Sequence, residues 1–309
     1  MRIPMLVRHT RHRLLIQTPA KLNLYLEVLG RRADGFHELL TLIMSVRLYD
    51  TLRFRDEPAG QISLRCRGTS AVSTETIPTG EDNLALQAAR LLKEHTGVER
   101  GAAIELWKRI PSAAGLGGGS SDAAATLVGL NRLWSLNLSS AELAGLAARL
   151  GSDIPFFLGD STSAICRGRG ESIEPVEIPA GAWFVVVRPP HGLSTADVYG
   201  HLRDSGEHSD RRPQAETTVR TLVRDFQRGR WGVAAASLHN ALQVPAERLS
   251  GDVARLRAEF SRQRVYGHLM SGSGSAYFGL CAGRRHARRI ALRFRAAGLG
   301  RVFVVSSGA

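Results

Sequence analysis

The chain contains no apolar run long enough to cross a membrane. Its longest purely apolar stretch is AWFVVV, at residues 182–187, whereas a membrane-spanning helix needs roughly 18 consecutive apolar residues or more. Cysteines are also scarce: Cys66, Cys166 and Cys281 lie far apart and form no CxxC pair. This arrangement excludes a disulfide framework and a zinc site of ordinary spacing. We therefore expect a protein of the reducing cytoplasm that has no membrane partner.

The N-terminal segment lacks the marks of a targeting peptide. Residues 1–16, MRIPMLVRHTRHRLLI, contain arginines and histidines and no acid, but they include no apolar segment followed by a cleavage site of small residues. The segment runs directly into strand-like sequence. We interpret it as a short basic extension, and a targeting role stays open as the alternative.

Aromatic and acidic residues are few as well. Aromatics make up 6% of the chain and no RNP-like or KH-like motif occurs, which argues against a nucleic-acid-binding module. The 28 acidic residues are outnumbered by 41 lysines and arginines, for a formal net charge of +13. Such a charge favours anionic partners, which are nucleic acid, an anionic membrane surface or phosphorylated small molecules, and charge alone does not choose among them. RNA binding that weakens steeply with salt therefore remains the alternative to an enzyme.

What is present indicates a globular protein of two domains. The chain has 309 residues, of which 43% are hydrophobic and 22% are charged, a composition typical of folded domains. We expect the boundary near residues 175–192 and take residues 1–178 and 179–309 as the two domains. These patterns do not encode the oligomeric state, and a monomer and a homodimer are both compatible with them.

Hydrophobic periodicity predicts an α+β fold. The first third of the chain alternates apolar and polar residues in segments such as LNLYLEVL and TLIMSVRL, which is typical of strands. Ser139 and Glu142 form a capping-box pattern, and Gly97 is a candidate helix stop. The predicted helices span about residues 83–95, 120–134, 140–150, 195–203, 217–228, 231–242, 246–262 and 283–297, and residues 202–217 are predicted to form a polar surface loop.

One loop carries the clearest chemical signal. Residues 111–122, PSAAGLGGGSSD, have glycines at positions 115, 117, 118 and 119, between a predicted strand and a predicted helix. Glycines let a ligand approach the main chain, and a helix N-terminus presents free N–H groups to an anion. The pattern therefore predicts a phosphate-binding loop, with a flexible hinge as the alternative. It is neither a Walker A loop, which needs GK[ST] at its end, nor a Rossmann loop, which needs a glycine at Ser120.

The loop PSAAGLGGGSSDAA resembles the central motif of the GHMP kinases, small-molecule kinases that include galactokinase, homoserine kinase and mevalonate kinase. Further segments resemble the branch of that family whose substrate is an alcohol linked to cytidine diphosphate, and they extend the similarity over nearly the whole chain. These segments are TPAKLNLYLEVLGRRADGFHEL (18–39), EDNLALQAARLL (81–92), LGSDIPFFLGD (150–160) and SGSGSAYFGL (271–280).

The resemblance implies both an architecture and a reaction. The N-terminal domain would be similar to domain 2 of ribosomal protein S5, and the C-terminal domain would be ferredoxin-like. ATP, with Mg²⁺, would phosphorylate the 2-hydroxyl of the cytidyl substrate in the non-mevalonate route to isoprenoids, with no nucleic acid as partner. A homoserine or mevalonate kinase is the alternative within the family. The segment ADGFHEL argues against it, because the substrates of such enzymes contain no cytosine for an aromatic ring and a histidine to recognise.

By the same resemblance, Asp153 is the general base that takes the proton from the substrate hydroxyl. Lys21 would hold that hydroxyl and keep the carboxylate ionised. From composition alone, Asp153 is equally explained as the N-cap of a helix and Lys21 as a solvated lysine at a strand edge.

The resemblance assigns ATP to the two glycine loops and to the start of the first helix. The residues are Pro111, Ala114, Gly115, Leu116, Gly117, Gly118, Gly119, Ser120, Ser121, Gly272, Ser273, Gly274 and Asn83. A tight turn between strands is the alternative for the second loop, and an N-cap is the alternative for Asn83. Asp122 would either approach the phosphates and Mg²⁺ or cap the helix. No metal ligand is assigned, because Mg²⁺ follows only from the chemistry of ATP.

The substrate would lie against residues from two separate segments. The resemblance implies that Phe36 stacks on the cytosine, that His37 hydrogen-bonds its edge, and that Tyr199 forms the second wall of the pocket. Asn23 shares a strand face with Lys21 and is a further candidate substrate contact. The alternatives are an ordinary buried aromatic for Tyr199 and an outward polar position for Asn23. Most relatives have tyrosine at the position of Phe36, so the stacking surface is kept and a hydroxyl is lost.

Overall fold

The computed structural model describes residues 5–10, 13–57, 60–68, 77, 80–202 and 211–308. Its strands are β1 (Leu6–Thr10), β2 (Arg13–Arg31), β3 (His37–Glu57), β4 (Ile62–Gly68), β5 (Gly101–Lys108), β6 (Ser163–Gly168), β7 (Ser172–Pro175), β8 (Trp183–Arg188), β9 (His239–Asn240), β10 (Gly267–Met270), β11 (Tyr277–Cys281) and β12 (Arg301–Ser306). Its helices are α1 (Leu84–Thr96), α2 (Gly118–Leu133), α3 (Ser140–Leu150), α4 (Ile154–Leu158), α5 (Thr195–Gly200), α6 (Arg212–Gln227), α7 (Trp231–Ala234), α8 (Gln243–Leu249), α9 (Gly251–Ser261) and α10 (Arg284–Ala296).

Strands β2 and β3 form a long antiparallel hairpin that organises the N-terminal half. The sequence predicted several shorter strands here, and the difference has a local cause. The register of the pair shifts at three places, one of them between Asn23 and Tyr25, so the alternation of apolar and polar residues is interrupted although the strand continues. Before that shift, Lys21 and Asn23 pair with Ser45 and Ile43. Lys21 and Asn23 therefore lie on the same face of β2.

The larger sheet has eight strands within the described residues. Its main order is β1-β2-β3-β5-β4, and β6 with β7, and β9, are attached to β3 and β2. Strand β3 pairs with β6 over Leu39–Met44 and with β5 over Thr51–Glu57. Helices α1 to α4 cover this sheet, and Phe54, Leu127 and Phe157 are fully buried in the shared core. This core holds the first turns of α2 against the strands.

The second sheet has the order β10-β11-β8-β12 and is antiparallel throughout. Helices α9 and α10 pack on it through Phe260 and Phe294, whose ring centroids are 4.4 Å apart. Other side chains of this sheet, including Phe184 and Phe278, belong to the same apolar core as Leu22 of β2. The two sheets therefore share a core, and the mixture of helices and strands confirms the predicted α+β class.

Helix α6 begins earlier than predicted, at Arg212 rather than near residue 217. Proline is tolerated in a first helical turn, where its missing N–H costs no hydrogen bond, and Pro213 stands there. Arg212 and Glu216 form ion pairs with Glu38 and Arg167, and these tertiary partners stabilise the turn. The predicted loop at 202–217 is therefore shorter, and residues 203–210 of it lie outside the described residues.

The predicted helix 231–242 is wrong beyond Ser237. Helix α7 ends at Ala234, a 3₁₀ turn follows over Ala235–Ser237, and His239–Asn240 forms β9, which pairs with β2 in parallel. The Asn240 amide donates hydrogen bonds to the carbonyls of Met270 and Gly272, both over 2.8 Å. These long-range hydrogen bonds stabilise an extended conformation at Asn240, although local periodicity favours a helix.

The predicted helix 246–262 is two helices, because Ser250 has extended backbone angles (φ −140°, ψ 111°) between α8 and α9. Predictions that rested on local capping are confirmed. The capping box of Ser139 and Glu142 is formed at the start of α3, and α1 ends at Gly97 with φ 64°. Short-range capping is readable from sequence because both partners lie within a few residues of each other.

The basic N-terminal segment is partly a strand. Residues 6–10 form β1 and pair with β2, from Leu6 with Gln17 to Thr10 with Arg13, while residues 1–4 and 11–12 lie outside the described residues. No helix in the described part of the chain has the length and apolar character that a membrane span requires.

Candidate active site

A cavity of about 920 Å³ brings together residues that are far apart in the sequence. It lies among the two glycine loops, the turn that joins β2 to β3, and the start of α4. Of the residues assigned from the sequence, its lining contains Lys21, Asn23, Phe36, His37, Gly115, Gly117, Ser120, Asp153, Tyr199, Gly272, Ser273 and Gly274.

Lys21 and Asp153 form an ion pair in the wall of this cavity. Lys21 Nζ lies 3.2 Å from Asp153 Oδ2, and the two side chains are 5% and 34% exposed. The lysine is therefore not a solvated residue at a strand edge. Asp153 occupies the N-cap position of α4, but its side chain makes no capping hydrogen bond. The carboxylate is thus held by a buried cation and remains accessible from the cavity.

Asn23 is fixed in place by a chain of buried hydrogen bonds. Lys21 Nζ donates to Asn23 Oδ1 over 2.5 Å. Asn23 Nδ2 donates to Thr41 Oγ1 over 2.9 Å, and Thr41 Oγ1 donates to the carbonyl of Tyr25 over 2.6 Å. Since both amide atoms of Asn23 have partners, its oxygen is directed to the Lys21 ammonium, and the three side chains act as one rigid unit.

The two glycine loops touch each other through their main chains. A Cβ atom on Gly115, which has φ 70°, would lie 1.9 Å from the carbonyl oxygen of Ser271. Ser271 Oγ donates to the carbonyl of Gly115 over 3.0 Å and accepts the N–H of Asn23 over 3.2 Å. Only glycine fits at position 115, and the second loop holds the first against β2.

The first glycine loop leads directly into α2. Gly117, with φ 68°, is the N-cap residue, and no side chain caps this end of the helix. The first N–H groups of a helix lack partners within the helix and carry the positive end of its dipole. Gly117 and Ser120 both line the cavity, so this end of α2 is suited to an anion.

Several residues assigned to ATP from the sequence lie outside the cavity lining. Ser121 Oγ is fully buried, donates to the carbonyl of Pro19 over 2.7 Å and lies 2.5 Å from Thr18 Oγ1; its side chain is therefore committed to the core and is not available to phosphate. Asn83 Oδ1 accepts the N–H of Ala85 over 2.9 Å as the N-cap of α1. Pro111, Ala114, Leu116, Gly118 and Gly119 are likewise outside the lining.

A buried charged cluster beneath the first loop was not found from the sequence. Lys108 Nζ lies 2.5 Å from Asp50 Oδ2 and 2.8 Å from Asp122 Oδ2. Asp50 Oδ1 accepts the N–H groups of Arg109 and Ile110, over 2.5 and 2.9 Å. The cluster therefore joins the two ends of the loop, and Asp122 does not cap α2. Its only sequence signal is a lysine at the end of a largely apolar strand.

The pKa values of Asp122 and Lys108 are both shifted by burial and by the neighbouring charges of this cluster. Burial raises the pKa of Asp122 to about 8, the Lys108 ammonium opposes that shift, and the charge of Asp50 adds to it. The two carboxylates raise the pKa of Lys108 against the effect of its own burial. Lys108 therefore stays charged, while Asp122 holds its proton well above the usual range of an aspartate.

The turn between β2 and β3 brings two rings to the cavity. Phe36 is 54% exposed, and the guanidinium of Arg169 lies 4.7 Å from its ring centroid. The rings of His37 and Tyr199 have centroids 4.9 Å apart and are tilted by 30°. Burial and the charge of Asp153 raise the pKa of Tyr199, so its hydroxyl stays protonated at neutral pH. Sequence reasoning missed Arg169, whose signal was an arginine flanked by two glycines.

The cavity offers few ligands for a metal. In the described residues, no group of three or more His, Cys, Asp and Glu side chains is arranged to hold a metal ion. Asp153 contributes a carboxylate to the lining and Ser120 a hydroxyl. Mg²⁺ commonly takes one or two protein oxygens and completes its shell with nucleotide phosphates and water, so this donor set fits a Mg²⁺ that arrives with a nucleotide.

Comparisons with known proteins agree on one family. Residues 83–160 match the model of the GHMP kinases N terminal domain, and residues 222–299 match that of the GHMP kinases C terminal. A protein of Pelotomaculum thermopropionicum named 4-diphosphocytidyl-2-C-methyl-D-erythritol kinase is 42% identical over 276 residues, which covers 89% of this chain and 92% of that protein.

Solved structures give the same result at the level of the fold. The crystal structure of a 4-(cytidine 5'-diphospho)-2C-methyl-D-erythritol kinase superposes with a TM-score of 0.75 at 36% identity, covering 96% of this chain and 99% of the other. A homoserine kinase from Cytophaga hutchinsonii superposes with a TM-score of 0.74 at 17% identity, over 97% and 96% of the two chains. The fold is thus common to kinases of different alcohols, and the site residues must distinguish among them.

Proposed function

Because the chain belongs to the 4-diphosphocytidyl-2-C-methyl-D-erythritol kinases of the GHMP family, we propose that it transfers the γ-phosphate of ATP to the 2-hydroxyl of 4-diphosphocytidyl-2-C-methyl-D-erythritol. This reaction belongs to the non-mevalonate route to isoprenoids. One observation carries the proposal: a single cavity contains the ion-paired carboxylate of Asp153, two glycine loops and the exposed ring of Phe36.

Asp153 is the proposed general base. Phosphoryl transfer depends mainly on positioning and on stabilising charge, with little covalent chemistry for the protein to do. The Asp153 carboxylate is accessible, and its partner Lys21 is held by Asn23. Asp153 would accept the proton of the substrate hydroxyl as that oxygen attacks phosphorus. Lys21 would keep both oxygens at the distance that attack requires.

The nucleotide phosphates are proposed to bind between the glycine loops, at the uncapped N-terminus of α2. The N–H groups of that helix and of the loop of Gly272, Ser273 and Gly274 would donate hydrogen bonds to phosphate oxygens. ADP would leave once the γ-phosphoryl group has passed to the substrate oxygen. Mg²⁺, when bound, would neutralise phosphate charge, and Ser120 is the lining residue whose hydroxyl would hold it together with phosphate oxygens and water, because Asp153 must accept the proton.

The cytidine is proposed to bind at the other end of the cavity. Phe36 would stack on the base, because its ring is 54% exposed and has the Arg169 guanidinium 4.7 Å from its centroid, which leaves the opposite face for a planar partner. His37 would hydrogen-bond the base edge, and Tyr199, whose ring packs on His37, would close the pocket. Asn23 would contact the erythritol part beside Lys21. Stacking with edge recognition is how proteins select one base in single-stranded nucleic acids, and it suits a free nucleotide equally well.

The domain boundaries, the compartment and the oligomeric state are also proposed. We take residues 1–178 and 179–309 as the two domains, with the site between them. The second sheet begins at β8, after that boundary, which supports this division. The protein would act in the cytoplasm, as a monomer or homodimer and without a nucleic-acid partner.

The decisive experiment measures ADP release from ATP and Mg²⁺ with the cytidyl substrate, mevalonate and homoserine in parallel. The wild type, Asp153→Asn and Asp160→Asn are compared. Asp160 is exposed, lies at the far end of α4 and is not part of the cavity lining, so it serves as the matched control. We expect turnover only with the cytidyl substrate, lowered by about 10³-fold or more in Asp153→Asn and unchanged in Asp160→Asn.

Other outcomes would redirect the assignment. Turnover with mevalonate or homoserine alone would support a kinase of this family and would contradict the proposed cytosine pocket. Absence of turnover with every alcohol, together with RNA binding that weakens steeply with salt, would favour the RNA-binding alternative.

A further inference from the structure

The turn that carries Phe36 and His37 is not buried in an apolar core. Phe36 is 54% exposed, and residues 31–38 are all exposed or only partly buried. Hydrogen bonds close the turn instead. The N–H of Arg32 donates to the carbonyl of Phe36 over 2.7 Å, and the Asp34 carboxylate accepts the N–H of Phe36 over 3.1 Å. These bonds fix the main chain of the turn at Phe36.

One carboxylate connects this turn to a helix from the other half of the chain. Arg32 donates from Nε to Asp34 Oδ2 over 3.1 Å and from Nη1 to Glu38 Oε2 over 2.8 Å. Arg212, the first residue of α6, donates from Nη2 to Glu38 Oε1 over 3.0 Å. Each oxygen of Glu38 thus holds a different arginine, and its side chain is 23% exposed.

Helix α6 is a firm support for Glu38. Its Glu216 accepts two hydrogen bonds from Arg167 of β6, over 2.7 and 2.9 Å. Its Arg220 donates two to Glu174 of β7, over 2.9 and 3.1 Å. Networks of paired charges with two-point geometry hold position better than isolated surface pairs do. The helix is therefore anchored along its length to the strands beside β3.

The ion pair between Glu216 and Arg167 also lies close in sequence to a residue that contacts Phe36. Arg167 lies two residues before Arg169, whose guanidinium lies over the Phe36 ring at 4.7 Å. Helix α6 thus influences the ring by two routes. One route runs through Glu38 and the turn, and the other runs through Arg167 and the end of β6.

We propose that Glu38 is a positioning residue for base recognition, which fixes the orientation of Phe36 and His37 by linking Arg32 of their turn to Arg212 of α6. The inference rests on the proposed function, because it takes the ligand of Phe36 and His37 to be a cytosine base. It assigns no contact between Glu38 and substrate. Loss of Glu38 would leave Arg32 and Arg212 facing each other and would loosen a turn in which no residue is fully buried.

The test uses cytidine diphosphate as probe, because its binding needs no turnover. Its dissociation constant is measured by calorimetry for the full-length wild type, Glu38→Gln, Arg212→Gln, the double variant, and Asp56→Asn. Asp56 lies at the far end of β3 and forms an ion pair of comparable length, 2.8 Å, with Arg100, so its loss controls for a missing carboxylate on the same strand. KM and kcat are measured for both substrates, and thermal unfolding is followed for each variant.

Glu38→Gln and Arg212→Gln are each expected to raise the dissociation constant of cytidine diphosphate by roughly tenfold, because a small misplacement of a group that recognises the ligand lowers affinity on that scale. KM for the cytidyl substrate should rise equally, while kcat and KM for ATP stay within about twofold. The double variant should bind no more than about twofold weaker than either single one, because both remove the same link. Asp56→Asn should bind like the wild type.

Unchanged binding in Glu38→Gln, or equal losses for ATP and the cytidyl substrate, would overturn the positioning role and leave the proposed function intact. Additive losses in the double variant would also overturn it, because Glu38 and Arg212 would then act separately. A wild type that does not bind cytidine diphosphate would overturn the proposed base pocket, and this inference would fall with it.

Discussion

Lys108 Nζ lies 2.8 Å from Asp122 Oδ2 in the core directly beneath the first glycine loop, and both side chains are 4% exposed. Asp122 Oδ1 has no hydrogen-bond partner among the described residues, whereas Asp50 in the same cluster is bonded at both oxygens. The cluster thus contains one well-satisfied carboxylate and one that is costly to ionise. This asymmetry links the stability of the loop to pH.

Stability should fall as the pH rises from the ordinary range of an aspartate towards about 8. The pKa of Asp122 is raised to about 8 by burial, so the folded protein binds a proton that the unfolded chain has released. The stabilisation is complete below the unfolded pKa and is lost as the pH passes through the folded value. Thermal unfolding from about pH 5 to about pH 9 should show a steeper decline for the wild type than for Asp122→Asn. Parallel curves would show that Asp122 is ionised in the folded state.

Substitution of two glycines by alanine should have opposite effects. At Gly115, an added Cβ would lie 1.9 Å from the Ser271 carbonyl at φ 70°, so Gly115→Ala should destabilise the protein by about 2 kcal/mol or more and raise KM for ATP. Gly145 is exposed on α3 with nothing within 4 Å of an added Cβ, so Gly145→Ala should stabilise by about 0.5–1 kcal/mol. Denaturant unfolding measures both, and a neutral Gly115→Ala would contradict the close contact of the loops.

Replacement of Lys21 by methionine should remove most of the activity and also lower stability. The lysine side chain is 5% exposed, and its loss leaves the buried Asn23 Oδ1 without its donor, which costs about 1–3 kcal/mol of unfolding free energy. We expect kcat to fall by about 10²-fold or more, well beyond the effect of that loss of stability. Lys93→Met is the control, because Lys93 donates to the Gly60 carbonyl and is not part of the cavity lining. An equal loss of kcat in the control would contradict a specific role for Lys21.

The ring of Phe36 should matter for binding and not for folding. Because it is 54% exposed, Phe36→Ala should leave the unfolding temperature nearly unchanged. Stacking of a base on an aromatic ring contributes about 1–3 kcal/mol, so KM for the cytidyl substrate should rise by roughly 10- to 100-fold. Phe36→Tyr keeps the stacking surface and should behave like the wild type. Steady-state kinetics with both substrates checks this, and an increase confined to KM for ATP would exclude the stacking role.

Helices with local signals were predictable, and those that depended on distant partners were not. The capping box at Ser139 and the stop at Gly97 need only neighbours within a few residues, so a sequence pattern suffices to find them. Asn240 instead bonds the carbonyls of Met270 and Gly272, about thirty residues away in sequence, and this turns a predicted helix into strand β9. Periodicity has no information about such partners.

The features of the candidate site can likewise be separated into those with a local sequence signal and those that depend on distant partners. The glycine loop, its junction with a helix N-terminus, and the family motifs that contain Lys21 and Asp153 can be recognised in the sequence, because each is a short run of residue types. The structure is needed to show that Ser121 faces the core, that Lys108 is buried between Asp50 and Asp122, and that Glu38 is joined to Arg212. Burial and charge pairing arise when segments far apart in the chain pack together, and so no local pattern can specify them.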